Sequence, residues 1–307
     1  MKRTTHNPWL HRYATFVAFA TYLLIIAGAL VTSNDAGLSV PDWPTSFGSF
    51  RMPRMVGGVE FEHGHRMVAG FVGILTILLA LWVWAKDSRR WVRWVAFGAV
   101  MAVVAQAVLG GITVLFYLPA PISTAHATLG QIFFCLTSSL ALFTAADWRW
   151  DEPKFEDRSS PSLQHLCVAT TGVILLQLIL GAAYRHSGIG IAPHIVGACV
   201  VAALVTWVVV RILKGFSQEP GLARPAMLLG SLLLVQLVLG IGSYFMRVET
   251  TNAAQPLAPI VDITTAHVAV GALVLLSSLY LTYQTHRFLT SSAAEAKVAA
   301  APQKATT

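Results

Sequence analysis

Eight runs, at 13–32, 67–85, 95–117, 122–146, 166–184, 191–210, 226–245 and 263–283, contain no Asp, Glu, Lys or Arg. A helix of about 20 apolar residues crosses the hydrocarbon core of a bilayer, where backbone polar groups have no water to bond. The pattern therefore predicts an all-α integral membrane protein with eight transmembrane helices. Only 11% of the 307 residues are charged, against about 25% in soluble domains. The first run is too long for the apolar core of a cleavable leader, so it is expected to stay as a helix. Cys135, Cys167 and Cys199 all fall inside apolar runs, which suits small buried hydrophobes better than a disulfide framework.

The net charge of +7 is sorted by side of the membrane and is no nucleic-acid signal. With eight spans both termini lie on one side. That side collects sixteen Lys and Arg; the other holds Arg51, Arg54, Arg66, Arg185 and Arg247. The excess predicts cytoplasmic termini. The charge-rich segment 147–162 reads as a cytoplasmic linker between two halves, 1–146 and 163–288. The Ala/Ser/Lys-rich stretch 289–307 reads as a disordered tail.

The halves repeat. Spans three, five and seven share a run near their outer ends, with Gln106, Gln177 and Gln236 each four residues before Gly110, Gly181 and Gly240. Span one has a weaker version, Leu24 before Gly28. Each even span is expected to begin at its outer end with a histidine: His65, His126, His194 and His267. The unit is a helix with a small-residue outer end, a loop, and a histidine-led helix. Four units make two pseudo-symmetric four-helix bundles related as parallel repeats; His65 and His194 are 129 residues apart. Small residues let membrane helices approach closely, but that leaves the three glutamines unexplained. They are expected to bond across helices or to something held between them.

Ionisable groups inside a membrane are rare and costly. Four at equivalent places suggest ligands, because bundles build cofactor sites from facing helices. Two imidazoles per half are the axial ligand set of a bis-histidine haem. A zinc or copper site usually gathers more donors, and Asp262 and Glu249 are the few acids near His267. His6, His11, His165 and His286 are expected as surface residues on the cytoplasmic side; His63 and His186 lie on the outer side with undecided roles. Arg66, Arg185 and Arg247, at the level of the histidines, are candidate partners for haem propionates, interfacial snorkelling being the other account of the last two.

The halves differ in the segment 34–70, the longest polar interruption. It ends in Glu62, His63, Gly64, His65 and Arg66, whereas no acid precedes His194. The first outer loop, taken as 33–62, is also much longer than its counterpart. A carboxylate three residues from a candidate iron ligand could act as acid, base or charge stabiliser, or could orient a neighbour.

On these residues the chain resembles the haem A synthase family, bacterial membrane enzymes that oxidise haem O. The matching residues are Asn34, Asp35, Ala36, Gly37, Leu38 and Ser39, then Pro41, Asp42, Trp43 and Pro44, then Glu62, His65 and Arg66, the run from Gln106 to Gly111, and His126, His194 and His267. The resemblance implies oxidation of the C8 methyl of haem O to a formyl group through successive hydroxylation and loss of water, giving haem A for cytochrome oxidase. It implies haem b as cofactor, held by His194 and His267 in the C-terminal half. It implies substrate haem flanked by His65 and His126, with Arg66 as a further binding residue and Glu62 catalytic. The implied setting is the bacterial cytoplasmic (inner) membrane, beside a membrane enzyme that supplies haem O; the electron acceptor is left unidentified and a homo-oligomer is left open. Many bacterial members carry a cysteine pair in the first outer loop, where Val40 and Ser46 stand here, so no thiol role is expected there. The alternative reading is a bis-histidine dihaem electron-transfer cytochrome without substrate chemistry. A transporter is disfavoured because the polar groups cluster at the outer end, away from the midplane.

Overall fold

A computed structural model describes residues 7–148 and 155–291. Its elements are α1 (Pro8–Ser33), α2 (Gly58–Lys86), α3 (Arg90–Leu115), α4 (Ala120–Phe143), β1 (Phe155–Asp157), α5 (Leu163–Arg185), α6 (Ala192–Gly215), α7 (Pro220–Glu249), α8 (Ala258–Phe288) and β2 (Leu289–Ser291). All eight helices are long and apolar enough to cross a membrane. Prolines in the first turns of α1, α4, α6, α7 and α8 start them where an N–H would have no partner. Asn7 caps α1 through the amides of Trp9 and Leu10, and Ser162 caps α5 through that of His165. Outward stripes stay bare, such as Phe71, Ile74, Leu78 and Leu81 on α2 and Leu234, Val238, Ile241 and Phe245 on α7. Such faces suit lipid, which is as apolar as they are.

The helices close into two four-membered rings. In the first, α2 and α4 each pack against α1 and α3; in the second, α6 and α8 each pack against α5 and α7. Each ring has its own core. Val17, Leu79, Ala99 and Leu140 are among the fully buried residues of the first; Val205, Ile212, Leu222 and Leu281 fill the second. The rings meet where α1 and α4 face α8 and α5. Polar bonds cross this seam at both ends. Ser33 and Thr264 hydroxyls lie 2.8 Å apart and Arg185 donates to the Thr32 carbonyl at 2.5 Å. At the other end Ser139 meets Tyr283 at 3.1 Å.

Several boundaries differ from the sequence reading. Helix α2 starts at Gly58, so the first loop is 34–57 and Glu62, His63, His65 and Arg66 all lie on the helix. The histidines are not at helix starts. His65 is the eighth residue of α2, His126 the seventh of α4, His194 the third of α6 and His267 the tenth of α8. Charge-free runs mark what lipid tolerates, whereas the backbone stays helical through polar residues beyond. The expected disordered tail begins with order: Leu289–Ser291 pairs in parallel with Phe155–Asp157 of the linker, Leu289 opposite Phe155. Leu289 is fully buried, and its carbonyl accepts from Gln164 at 2.9 Å. The calls on His6, the linker centre at 149–154 and the tail past Ser291 fall outside the described residues. Of the expected surface histidines, His165 and His286 are exposed, but His11 is half-buried with Nδ1 3.0 Å from the Ala141 carbonyl.

Candidate functional site

The four histidines and the four glycines of the repeat meet in pairs. A Cβ added to Gly28 would stand 3.1 Å from Cε1 of His65. The same construction gives 3.3 Å from Gly110 to His126, 2.8 Å from Gly181 to His194 and 3.0 Å from Gly240 to His267. Each odd helix therefore omits a side chain where the next helix inserts an imidazole. The glutamines complete the arrangement in three of four units. Gln106 lies over Gly130, Gln177 over Gly197 and Gln236 over Gly271, each glycine about one turn beyond the histidine of its helix. Large faces small twice in succession. A single interlock thus explains both the glycines and the glutamines.

In the second ring the imidazoles of His194 and His267 face each other with centres 6.4 Å apart and planes at 81°. Gln177 Nε2 lies 3.0 Å from His194 Nδ1 and donates to the His194 carbonyl at 2.8 Å; Gln236 Nε2 lies 3.4 Å from His267 Nε2. In the first ring His65 and His126 lie within electrostatic reach of each other. Their buried Nδ1 atoms, like that of His267, have no hydrogen-bond partner. Buried polar atoms without partners are uncommon and mark places where something else binds. Among the described residues no three His, Cys, Asp or Glu side chains gather as a metal site, so the donors come as imidazole pairs.

Over the first ring lies the loop 34–57, and Glu62 and Arg66 hold it. Glu62 is 4% exposed. Its Oε2 accepts from the Val40 amide at 2.7 Å and its Oε1 from Arg66 at 2.5 Å, one turn along the helix. Arg66 also donates to the carbonyls of Val40 at 3.1 Å, Asp42 at 2.7 Å and Thr45 at 3.1 Å. The guanidinium fork thus gathers the loop around a buried ion pair. Asp42 folds the tip by accepting from Thr45 and from the amides of Phe47 at 2.6 Å and Gly48 at 2.9 Å. The Thr45 hydroxyl and the Gly48 amide hold its carboxyl below the usual carboxylate range. Ser46 meets His63 Nδ1 at 2.9 Å. The Trp43 ring rests on Gly111 of α3, where a Cβ would stand 2.7 Å from Cδ2.

The remaining candidates are dispersed. Arg185 is spent on the seam, and Arg247 stacks over the Tyr184 ring at 5.7 Å. His186, at the end of α5, reaches across to the first ring. Its imidazole is pushed down to about 4, by burial first and then by Arg185 and His126.

Comparison with known proteins falls on the same residues. A family described as cytochrome oxidase assembly protein matches residues 59–193, which hold Glu62, His65, Arg66 and His126 and stop one short of His194. The haem A synthase of Lysinibacillus sphaericus is 29% identical over 59% of this chain and 60% of its own length. That of Bacillus licheniformis is 27% identical over 61% and 62%, and that of Listeria welshimeri 34% identical over 41% of each. Over these stretches the chain is similar to haem A synthases. The aligned stretches span about three fifths of the first two haem A synthases.

The sequence reading named the histidines and Glu62 but missed the seats and the loop anchors. Spacing gave no signal for Trp43 against Gly111 or for Ser46 against His63, because each contact has one partner in the first outer loop, outside the repeat. Spacing left the role of His186 undecided, because it stands outside the repeated unit.

Two predictions follow from this geometry. Gly181→Ala drives a methyl into the His194 ring and is expected to destabilise by about 1–3 kcal/mol. Gly172→Ala in the same helix, with nothing within 4 Å, is expected to be neutral or stabilising by up to about 1 kcal/mol; thermal unfolding in detergent compares them. Asp42→Ala is expected to raise hydrogen exchange at Phe47 and Gly48. Because its folded-state value is depressed, the stability it supplies is present above about pH 4. It is lost as pH falls through the folded-state value, so the melting difference from wild type should close on acidification.

Proposed function

We propose that the protein oxidises the C8 methyl of haem O to a formyl group, producing haem A, with haem b held by the second ring. The carrying observation is the unequal doubling of one site. Both rings present an imidazole pair, but among the described residues only the first adds a buried carboxylate, a guanidinium and a fitted loop beside that pair.

The second ring suits a bis-histidine haem. Haem b would be held between the imidazoles of His194 and His267, whose centres stand 6.4 Å apart across the bundle. The partnerless buried Nδ1 of His267 agrees with a ring awaiting its full set of bonds. Bound there, haem b supplies one-electron redox chemistry. His65 and His126 flank the substrate haem in the first ring. Glu62, one turn before His65, is the group placed to move a proton or stabilise charge at the reacting methyl. Arg66 keeps that carboxylate in place and keeps the loop down, which excludes water from the first ring. This assigns Arg66 chiefly to Glu62 and the loop, with contact to substrate secondary.

The same reading divides the chain into a substrate half, 1–146, and a haem b half, 163–288, joined by 147–162. It puts the protein in the bacterial inner membrane with cytoplasmic termini, on the charge bias of the connecting segments. Haem O would come from a membrane enzyme that makes it.

Expression with a haem O source is expected to yield haem A in extracted pigments. Normal haem loading without haem A would leave the dihaem electron-transfer cytochrome as the better reading. His194→Ala or His267→Ala is expected to lose the low-spin haem b spectrum. Glu62→Gln is expected to keep haem b and to lower turnover by 100-fold or more, on the order of what a positioned acid or base contributes; undiminished activity would return Glu62 to a purely structural role.

A further inference from the structure

We infer that Gln106, Gln177 and Gln236 are positioning residues for the imidazoles of His126, His194 and His267, each amide supplying the acceptor for one ring N–H and leaving the other ring nitrogen to face iron. The inference rests on the haem reading above and goes beyond it by assigning three residues that touch no iron.

The juxtaposition occurs three times. Each glutamine lies four residues before the glycine that seats the imidazole, and each is packed over a glycine of the histidine's own helix. Gln177 Nε2 lies 3.0 Å from His194 Nδ1, and Gln236 Nε2 lies 3.4 Å from His267 Nε2. The buried Oε1 atoms of all three glutamines have no hydrogen-bond partner, and neither do the buried Nδ1 atoms of His126 and His267. The amide thus meets Nδ1 at His194 and Nε2 at His267, where the partnerless Nδ1 is left free for iron, and Gln106 takes the equivalent place over Gly130. Turning an amide about its last bond exchanges oxygen for nitrogen with the heavy atoms in place. It brings Oε1 to the ring. For Gln177 the turn gives up the bond to the His194 carbonyl, which has its own partner within the helix. A metal-bound histidine donates its second ring N–H to such an acceptor, and that bond fixes the tautomer and raises ligand basicity.

His65 is the exception. The position four residues before Gly28 is Leu24, so its ring has a glycine seat and no amide. Three of four imidazoles are thus anchored, and the unanchored one lies a turn from Glu62. Both rings of the second bundle are anchored, as a permanently held cofactor requires.

The test uses purified holoprotein in detergent. Haem b content, its transfer rate to apomyoglobin and its midpoint potential are measured for Gln177→Leu, Gln236→Leu, Gln236→Glu, Gln106→Leu and His267→Ala. Gln177→Leu and Gln236→Leu are expected to hold haem b about 10–100-fold more weakly and to raise its potential, since a less basic imidazole favours the ferrous state. Gln236→Glu is expected to restore retention and bring the potential below wild type; steric repair alone would not do that. Gln106→Leu, in the other ring, is expected to leave haem b retention and potential as in wild type. Unchanged retention and potential in both second-ring Leu variants, with haem b lost in His267→Ala, would overturn the anchoring role while the haem reading stands. Haem b retained in His267→Ala would overturn that reading and the inference with it. Should a Leu variant fail to fold, the potential of Gln236→Glu decides: a value equal to wild type counts against the inference.

Discussion

An imidazole buried in a membrane bundle needs a place in which its ring is packed and its nitrogens are faced by something useful. Here that place is always the backbone of the preceding helix, opened by a glycine. The four clearances, from 2.8 to 3.3 Å, leave no room for a methyl. Once a ring must lie that close to a helix backbone, the separation and register of the two helices are set. The next contact follows, glutamine over glycine, because the same register repeats about one turn further along. The second ring shows the result most fully, with its two imidazoles face to edge across the bundle.

The first ring carries a different constraint on top of this. Glu62 and Arg66 are packed under the loop, and a buried charge left alone costs about 3–5 kcal/mol. Glu62 covers one charge of Arg66, but a guanidinium has five donors. The carbonyls of Val40, Asp42 and Thr45 supply the further acceptors. The pair holds the loop, and the loop completes the pair. Gly58 serves the same closure, since any Cβ there would run into Ser39. A shorter loop would leave the ion pair partly unsatisfied, so the length that distinguishes this half from the other has an electrostatic reason.

Much of this was legible in the sequence, and what was not has a physical cause. Charge-free runs marked eight helices because lipid excludes charge, but they marked their ends poorly, since helical backbone extends past the apolar zone at α2 and α8. The repeat exposed the four histidines, because equivalent residues at equal spacing stand out without any knowledge of contacts. It also exposed Gly181 and Gln177, yet not that the glycine serves an imidazole rather than the general approach of two helices; that depends on rotamers. The pairing of Leu289 with Phe155 was hidden because a three-residue strand carries almost no periodic signal. Arg66 was only partly legible. Its position beside a candidate haem site suggested propionate binding, while its side chain turns back to Glu62 and to loop carbonyls that no spacing rule connects to it.

On the proposed reading, the two rings together suggest why one scaffold could hold one haem firmly and process another. A fixed cofactor gains from every restraint on its ligands, and the second ring has glycine seats and amides on both sides. A substrate must enter, react and leave, so at least one of its contacts has to yield. In the first ring the amide is missing at Leu24, and the control passes to Glu62, Arg66 and the loop. These groups are linked by hydrogen bonds to loop backbone. Anchoring within the helices and anchoring through the loop are therefore separated in space. On the proposed reading, this separation is what turns a duplicated imidazole pair into one site for holding and one for chemistry.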